Sequence, residues 1–347
     1  MAVEWKNVWI FLGVVALCFL AIPIRIDKSD SLANEKLFQS YIKKFNKTYE
    51  SNVTEYNLRL LQFQESLTQI KILNGERQSE SSALYGFTKF SDLSPDEFLH
   101  HHLQPKLHER LHHRHKSHKR IEKRAIDSLP LRVDWREKKI VTPIRDQKAC
   151  GACWAFSTVE TVESMSAIKT GVLQSLSVQE IIDCAGNGNM GCSGGDTCGL
   201  LEWLVGNKIS IRNDKEYPLM WKTQACKLKG SESGVQVAPN YTCQYLVGNE
   251  EALLATLAYH GPVIAAINAL SWQNYLGGVI QFHCDSSLEH INHAVQIVGY
   301  DRSGDVPHYI VRNSWGPEFG DKGYIYIAIG SNVCGKCFVE LLIILNR

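Results

Sequence analysis

The segment that most restricts the fold of this chain runs from Gln147 to Phe156, because it changes from a loop into a helix at a cysteine. Gly151 interrupts the loop. Apolar residues then recur at helical spacing as far as Ile168, and Gly171 is a predicted end. Cys153 is therefore expected at a helix N-terminus, where backbone N–H groups and the helix dipole favour a negative charge. A thiol in this position should ionise readily, and the thiolate is the nucleophilic form.

Cys150 and Cys153 also form a Cys-x-x-Cys pair, which occurs in redox proteins and in zinc sites. A redox pair would favour a small β-α-β surrounding, which this sequence does not indicate. A zinc site needs a second pair at finger-like spacing, and Cys334 with Cys337 lies far downstream. A purely structural role is the remaining alternative, because most cysteines in secreted proteins are structural.

The length of 347 residues suggests two domains, or one domain with an appended segment. The formal net charge of +1 gives no indication of a nucleic-acid partner, and the eleven cysteines favour an oxidising compartment. Residues 8–24 are uncharged and follow Lys6, so residues 1–24 are predicted to be a signal peptide. A membrane anchor is the alternative. Removal of the segment would leave a chain with no membrane contact.

Residues 25–124 contain no cysteine and are predicted to be mainly helical between Glu35 and Leu73. From Glu55 to Asn74, six residues recur at steps of three and four, which places them on one helix face. An ordinary amphipathic helix would have the same pattern. Pro95 follows Ser94 at a predicted helix start.

A basic, histidine-rich tract from His100 to Lys123 holds eight of the thirteen histidines and is predicted to be an exposed linker. It could bind metal, or gain charge as the pH falls through about 6.5. The tract ends in the dibasic pair Lys123–Arg124, where processing proteases could cut.

From Ala125 onward, helical patterns come first and strand patterns follow, which predicts an α+β fold. Ser177–Glu180 is predicted to be a capping box, and the glycine-rich segment Gly191–Gly195 to open a further helix. Strands are predicted at Val263–Ala269, His293–Tyr300, His308–Arg312 and Gly323–Ile329. A cleft between a helical half and a sheet half is a natural site.

His293 heads one of these strands, and Asn313 begins an Asn-Ser-Trp-Gly segment after the next. Taken singly, each has an equally good structural explanation, as a hydrogen-bonded rim residue and as a turn. Together with Cys150–Trp154, they resemble the papain family of cysteine peptidases, which has this nucleophile motif and a downstream His and Asn. The resemblance extends to Glu55–Asn74 (with Ser66 in place of an Asn), Gly86–Asp92, Asp134–Arg136, Gly194–Gly195 and Gly323–Tyr324, and within the family Ser271–Gly278 and Gly330–Gly335 are most similar to one cathepsin.

The resemblance implies a catalytic group of Cys153 as nucleophile, His293 as its partner, Asn313 as the residue that orients the imidazole, and Gln147 as an oxyanion donor. Cys153 and His293 should rest as thiolate and imidazolium. Eight further residues around the site receive implied roles. Trp315 would shield the Asn–His bond, Gly194 and Gly195 would admit a substrate strand, and an apolar second pocket would involve Thr197, Ala266, Ile291, Ala294 and Val339.

The same resemblance implies three disulfides and leaves Cys153 free. The pairs are Cys150–Cys192, Cys184–Cys226 and Cys284–Cys334, with Cys198–Cys243 as a further candidate and Cys337 unassigned. Three sequons predict N-glycosylation if they are exposed, at Asn46, Asn52 and Asn240.

The implied organisation is a signal peptide (1–24), an inhibitory propeptide (25–124) and a papain-like peptidase domain (125–347), with a helical half at about 137–243 and a β half at about 244–340. The implied protein is a monomeric lysosomal or secreted endopeptidase. It would act on polypeptides, be inhibited by its own propeptide and by cystatin-like proteins, and need no cofactor or metal. Three departures from the family pattern leave its detailed specificity open: Lys148 in place of Gly, Phe319 in place of Trp, and a longer loop from Cys284 to His293.

Opposite charges support docking of the two main parts. Residues 25–124 contain 18 basic and 13 acidic residues, a net charge of +5, and residues 125–347 contain 18 and 22, a net charge of −4. Acid pH should loosen this docking. The alternatives are a non-catalytic binding protein, which the presence of all three catalytic residue types disfavours, a thiol oxidoreductase, and an exopeptidase.

Overall fold

The computed structural model of the chain describes residues 28–49, 51–112, 129–228, 234–239, 241, 243–245, 249–330, 332–335 and 339–340. The predicted signal peptide, residues 113–123 of the histidine-rich tract, the dibasic pair, Asn240 and Cys337 lie outside these residues. No helix within the described ranges combines the length and apolar character that crossing a membrane requires.

The described residues up to Leu60 form one compact unit and those from Leu61 onward a second. In the first unit, helix α1 (Lys28–Lys44) buries Phe38, whose ring lies 5.3 Å from that of Tyr56. Helix α2 (Val53–Gly75) begins in this unit, and an ion pair of 2.6 Å joins its Glu55 and Arg59. The region Glu35–Leu73, predicted to be mainly helical, thus contains parts of two helices.

Three short elements follow α2 in the second unit: strand β1 (Leu84–Tyr85), helix α3 (Pro95–His102) and helix α4 (Leu107–His112). Ser94 caps α3 with a complete capping box, and Pro95 stands at its first turn, as the sequence predicts. The side-chain amide of Asn74, on the predicted helix face, donates to the Tyr85 carbonyl and accepts a hydrogen bond from the Tyr85 N–H.

The helical part is built around α5 (Cys153–Thr170), which is followed by α6 (Val178–Cys184) and α7 (Thr197–Gly206). Helix α5 ends at Gly171, whose φ of 74° is the left-handed conformation that glycine supplies at a C-cap. Ser177 caps α6, but the predicted capping box is incomplete. The Glu180 carboxylate accepts a hydrogen bond from the backbone N–H of Arg212 instead.

A six-stranded sheet forms the other part. Its strands are β2 (Arg132–Asp134), β6 (Val263–Ile267), β8 (Val279–Ile280), β9 (His293–Asp301), β10 (His308–Arg312) and β11 (Tyr324–Ala328). Strand β9 is the centre, because it pairs antiparallel with β2, β6 and β10. Helix α8 (Glu250–Tyr259) packs on this strand. The short pairs β3 (Ser210–Ile211) with β4 (Val235–Gln236), β1 with β7 (Tyr275–Gly277), and β5 (Gln244–Tyr245) with β12 (Val339–Glu340) complete the strands.

Two buried apolar clusters lie on opposite sides of β6, because alternate side chains of a strand point to opposite faces. Ile264 and Ala266 join the helical cluster around α5, whereas Val263, Ala265 and Ile267 join the sheet cluster. The α+β class predicted from the element order is confirmed.

Candidate active site

Cys153 is the first residue of α5 and is completely buried, with its thiol outside any disulfide. Four disulfides join the other described cysteines: Cys150–Cys192, Cys184–Cys226, Cys198–Cys243 and Cys284–Cys334. These are the three implied pairs and the additional candidate. With Cys150 bonded to Cys192, the structure offers no redox pair of Cys150 with Cys153.

His293 and Asn313 meet across neighbouring strands. His293 begins β9 and Asn313 directly follows β10, and His293 Nε2 lies 2.8 Å from Asn313 Oδ1. Because an amide oxygen only accepts, Nε2 carries the proton, and Nδ1 is the basic nitrogen of the neutral ring. Among the described residues, no group forms a hydrogen bond with His293 Nδ1. The Cys153 thiol lies against the backbone of Ala294, the next residue along β9.

An aromatic shell excludes water from this histidine. The Trp315 ring lies 4.9 Å from the imidazole at an angle of 31°, and Trp272 lies edge-on at 6.1 Å. Phe319 stands 4.8 Å from Trp315, so the phenylalanine that departs from the family pattern still supplies an aromatic contact. Shielding of the Asn–His bond by Trp315 remains a prediction.

Gln147 is fully buried and fixed by four hydrogen bonds. Its backbone N–H donates to the Ser314 carbonyl, and its Oε1 accepts from Ser314 Oγ at 2.5 Å. Its Nε2 donates to the carbonyl of Cys150 at 3.0 Å and to the carbonyl of His102 at 3.1 Å. The donor position that the oxyanion role requires is therefore taken in part by a carbonyl oxygen of α3, not of a substrate.

Gln104 covers the thiol and was missed by the sequence analysis. Its Nε2 donates to Cys153 Sγ at 3.0 Å, its Oε1 accepts from the N–H of Gly195 at 3.0 Å, and its own N–H donates to the carbonyl of Asn292. The segment after α3 thus occupies the place where the two glycines were expected to admit a strand. No local pattern could identify Gln104, because its partners lie far away in the sequence.

Glycine is required at Gly195 for steric reasons and at Gly194 for its backbone conformation. A Cβ on Gly195 would lie 2.4 Å from the Trp154 ring, and one on Gly194 would lie 2.9 Å from Gln104 Oε1. Gly194 also has a φ of 106°, which side chains rarely adopt.

The residues expected to form the second pocket are largely buried. Thr197 is the first residue of α7, and Ala266 pairs with Ala294 across β6 and β9. Ala266 and Ile291 belong to the same apolar cluster as Leu107 of α4. Val339 lies on β12, and its side chain is outside the described part.

The two remaining departures from the family pattern, Lys148 and the longer loop, remove no catalytic group. Lys148 adopts a φ of 52°, the left-handed conformation for which glycine is suited, and places its ammonium 3.4 Å from the centre of the Trp221 ring. Its carbonyl accepts a hydrogen bond from His102 Nδ1. The long loop forms the 3₁₀ turn Leu288–His290, against which α4 packs.

A buried charge network links the helix of Cys153 to the strand that leads to Asn313. Arg312 Nη2 lies 3.1 Å from Glu160 Oε1, and Arg145 Nη2 lies 2.6 Å from Glu163 Oε1. Burial raises the pKa of Glu160 to about 7. The loss of one partner of such a buried pair typically costs 3–5 kcal/mol, so these residues hold the two halves of the site in register.

Burial determines the protonation of the catalytic pair in this covered form. Desolvation raises the pKa of Cys153 to about 11, although hydrogen bonds from Ala294 and Gln104 oppose the shift. Desolvation lowers the pKa of His293 to about 4, against the hydrogen bond to Asn313. Between these values both groups are neutral, so the thiolate–imidazolium pair is not the resting state here. The helix N-terminus does not outweigh complete burial.

No metal-binding arrangement is found around the site. Among the described residues, no group of three or more His, Cys, Asp and Glu side chains is placed to hold a metal ion.

The glycosylation candidates Asn46 and Asn52 are both exposed. Their modification remains a prediction.

Comparison with known proteins agrees with this arrangement. Residues 129–342 match the papain family cysteine protease domain, and residues 38–98 match the cathepsin propeptide inhibitor domain I29. Human (Homo sapiens) cathepsin O is 43% identical over 275 residues, covering 79% of this chain and 84% of the relative. Mouse (Mus musculus) cathepsin O is 40% identical over 78% of this chain and 85% of the relative. Cathepsin O is also the cathepsin to which the segments Ser271–Gly278 and Gly330–Gly335 are most similar.

Solved structures of precursor forms have the same fold. Recombinant stem bromelain precursor superimposes with a TM-score of 0.77 at 27% identity, covering 91% of this chain and all of that chain. The proform of the ragweed allergen Amb a 11 gives 0.77 at 28% identity, with coverage of 90% and 95%. The chain therefore belongs to the papain family of cysteine peptidases and is a cathepsin-like zymogen that carries its own propeptide.

Proposed function

We propose that the activated protein is a lysosomal or secreted endopeptidase that uses Cys153, His293, Asn313 and Gln147. The observation that carries this proposal is the hydrogen bond of His293 to Asn313, which leaves Nδ1 as the basic nitrogen, while the free thiol of Cys153 lies against the next residue, Ala294. A nucleophile, a base and a group that orients the base are the components of a covalent acyl-transfer site.

The reaction would begin with transfer of the Cys153 thiol proton to His293 Nδ1. The sulfur then attacks the peptide carbonyl carbon, and the oxyanion accepts hydrogen bonds from Gln147 Nε2 and the Cys153 backbone N–H. His293 donates its proton to the leaving nitrogen as the C–N bond breaks, which leaves a thioester. Water attacks the thioester, His293 takes a proton from it, and the acid is released as the thiol re-forms.

The propeptide would inhibit by occupying these groups. Gln104 covers the sulfur and the Gly195 N–H, and the His102 carbonyl takes the Gln147 donor. Removal of the segment would expose all of them to a polypeptide and to water. A solvated site disfavours the charged forms less strongly, so thiolate and imidazolium are expected to form in the activated enzyme.

The second pocket is expected to accept an apolar side chain. Leu107 of the propeptide already packs into the cluster that contains Ala266 and Ile291. A substrate leucine would bury similar surface there, whereas an arginine would lose hydration without a partner. Cystatin-type inhibitors are expected to bind only after the propeptide has left, and the activated protein to act as a monomer.

A peptide blocked at both ends tests the reaction. Activated wild-type protein should cleave an N-acetylated, C-amidated peptide internally, and Cys153→Ser should reduce the rate by at least about a thousandfold. Glu251→Gln, at an exposed carboxylate on α8, serves as the control. Release of terminal residues alone would contradict endopeptidase action. Insulin reduction without peptide hydrolysis would favour the oxidoreductase alternative.

A further inference from the structure

A lysine of the propeptide lies between two carboxylates beside the active site. Lys89 Nζ is 2.7 Å from Asp146 Oδ2 and 2.8 Å from Glu318 Oε1. Lys89 falls inside the region that matches the propeptide inhibitor domain, whereas both carboxylates fall inside the region that matches the protease domain. The ammonium group therefore departs with the propeptide, and the carboxylates stay.

The peptidase domain supplies both carboxylates and fixes one of them. Asp146 Oδ1 accepts a hydrogen bond from the N–H of Lys148 at 2.8 Å, and the Asp146 carbonyl accepts one from Trp221 Nε1 at 2.7 Å. The Glu318 carboxylate lies over Gly316, which has no side chain to displace it. Asp146 is therefore preformed for another cation, and the half-exposed side chain of Glu318 is free to turn towards one.

The neighbouring cations do not replace Lys89. Lys148 directs its ammonium onto the face of the Trp221 ring. His102 also interacts electrostatically with Asp146, but His102 belongs to the segment that covers the site and would leave with it. Loss of the propeptide would therefore leave two carboxylates close together with one cation fewer, which favours binding of a positive group.

The path of the propeptide shows which part of a substrate would reach this pair. Phe90 lies 5.5 Å from Trp315, Gln104 lies on Cys153, and Leu107 lies in the cluster of Ile291 and Ala266. The apolar cluster is the side expected to bind the acyl part of the substrate. The Trp315 side, with Asp146 and Glu318, is the opposite side of the thiol and would hold the leaving group.

We propose that Asp146 and Glu318 form a subsite that selects a lysine or arginine side chain on the leaving-group side of the scissile bond. The propeptide occupies this subsite with Lys89. The proposal rests on the peptidase function given above. It adds a charge preference that the catalytic residues and the apolar pocket do not specify.

The test compares internally quenched peptides that share one leucine-containing acyl part. On the leaving-group side, each peptide has a single Lys, Gln or Glu at one of the first three positions. At low ionic strength, kcat/KM for the best-placed Lys peptide should exceed that for the matching Glu peptide by about tenfold, because two partly exposed ion pairs form. The ratio should shrink at about 1 M salt, where such charges are screened.

Variants of the subsite complete the test. Asp146→Asn combined with Glu318→Gln should bring the Lys/Glu ratio close to one, and Glu318→Lys should favour the Glu peptide. Because the ratio compares two substrates of one enzyme, a general loss of activity cancels. Glu251→Gln, at an exposed carboxylate on α8, should retain the wild-type ratio.

The possible failures separate the two proposals. A wild-type enzyme that cleaves the peptides with no preference for Lys, or a double variant that keeps the full preference, would overturn the subsite and leave the peptidase function intact. If wild-type protein shows no cleavage that depends on Cys153, as judged against Cys153→Ser, both proposals are refuted.

Discussion

The propeptide segment from Lys89 to Leu107 contacts the two sides of the active site through different interactions. On the side of His293, Phe90 and Phe98 pack edge-on against Trp315 at 5.5 and 5.3 Å. On the side of Cys153, one amide side chain, that of Gln104, reaches the sulfur and the N–H of Gly195. Buried aromatic area supplies most of the binding free energy in such contacts. The apolar side should therefore hold the propeptide, and the polar side should block the chemistry.

Truncation of the main aromatic anchor is the strongest test of this division. Phe90 is 3% exposed and touches Phe98, His102, Trp315 and Phe319. Phe90→Ala should destabilise the covered form by about 3 kcal/mol and raise the open fraction about a hundredfold. The measurement is the rate at which a thiol-directed peptide epoxide labels Cys153 in the intact zymogen.

The matched control for this variant is Leu61→Ala, which removes an exposed apolar side chain from α2. Leu61→Ala should leave the labelling rate near that of wild type. An unchanged rate for Phe90→Ala would show that the aromatic side does not hold the propeptide.

Acid pH should weaken the covered form through His102, which lies between the two sides. Burial lowers the pKa of His102 from its ordinary 6.5 to about 4, and burial lowers that of His293 in the same direction. Because covering the site lowers these two pKa values, protonation favours the uncovered form. The covered form is therefore most stable above pH 6.5 and loses stability as the pH falls towards 4. Zymogen processing should therefore be faster at about pH 5 than at about pH 7.5.

His102→Phe tests this cause, because it keeps a ring against Phe90 and removes the titrating group. The variant should reduce the acceleration between these two pH values by about tenfold. His101 is exposed, so His101→Phe should behave like wild type. Equal acceleration in both variants would place the pH response elsewhere, for example in the other histidines of the tract.

Removal of the blocking amide should have a smaller effect on binding and a specific effect on the thiol. Gln104→Ala loses two hydrogen bonds at the site, which contribute about 1–2 kcal/mol together. Labelling of Cys153 in the zymogen by a small alkylating reagent should rise about tenfold. Gln78→Ala, at an exposed position, is the control, and an equal rise in that variant would contradict a role for Gln104 at the sulfur.

The smallest effect is expected from Lys89→Gln. The ion pairs with Asp146 and Glu318 are partly exposed, so their loss should weaken propeptide retention by about 0.5–1 kcal/mol. The difference should disappear at about 1 M salt. Lys71→Gln, at an exposed residue of α2, should change neither the labelling rate nor its salt dependence. A salt-independent effect of Lys89→Gln would indicate a steric cause.

Local sequence predicted the features that depend on local interactions. The helix from Cys153 to Gly171, the strand that starts at His293 and the helix start at Ser94 follow from periodicity and capping chemistry. The incomplete capping box at Ser177 shows the limit of this reasoning. The Glu180 carboxylate accepts a hydrogen bond from the backbone N–H of Arg212, which is 32 residues away in the sequence, and not from the N–H of Ser177.

The features that sequence could not predict depend on contacts between distant segments. Gln104, Phe90 and Lys89 reach residues that are 49 to 229 positions away, and no pattern marks them as site residues. Local sequence also could not predict the charge state of Cys153 and His293 in the covered form. Burial by the propeptide, which only the assembled fold shows, has a larger effect than the helix N-terminus.

One covalent link has a consequence for the lifetime of the activated protein. The disulfide Cys150–Cys192 joins the loop just before the nucleophile to the loop that carries Gly194 and Gly195. A thiol-rich environment such as cytosol would favour its reduction once local opening exposes Cys150, and the two rims of the cleft would then be free to drift apart. Reduction would therefore inactivate the enzyme by separating the nucleophile from the wall that receives the substrate, with every catalytic side chain still chemically intact.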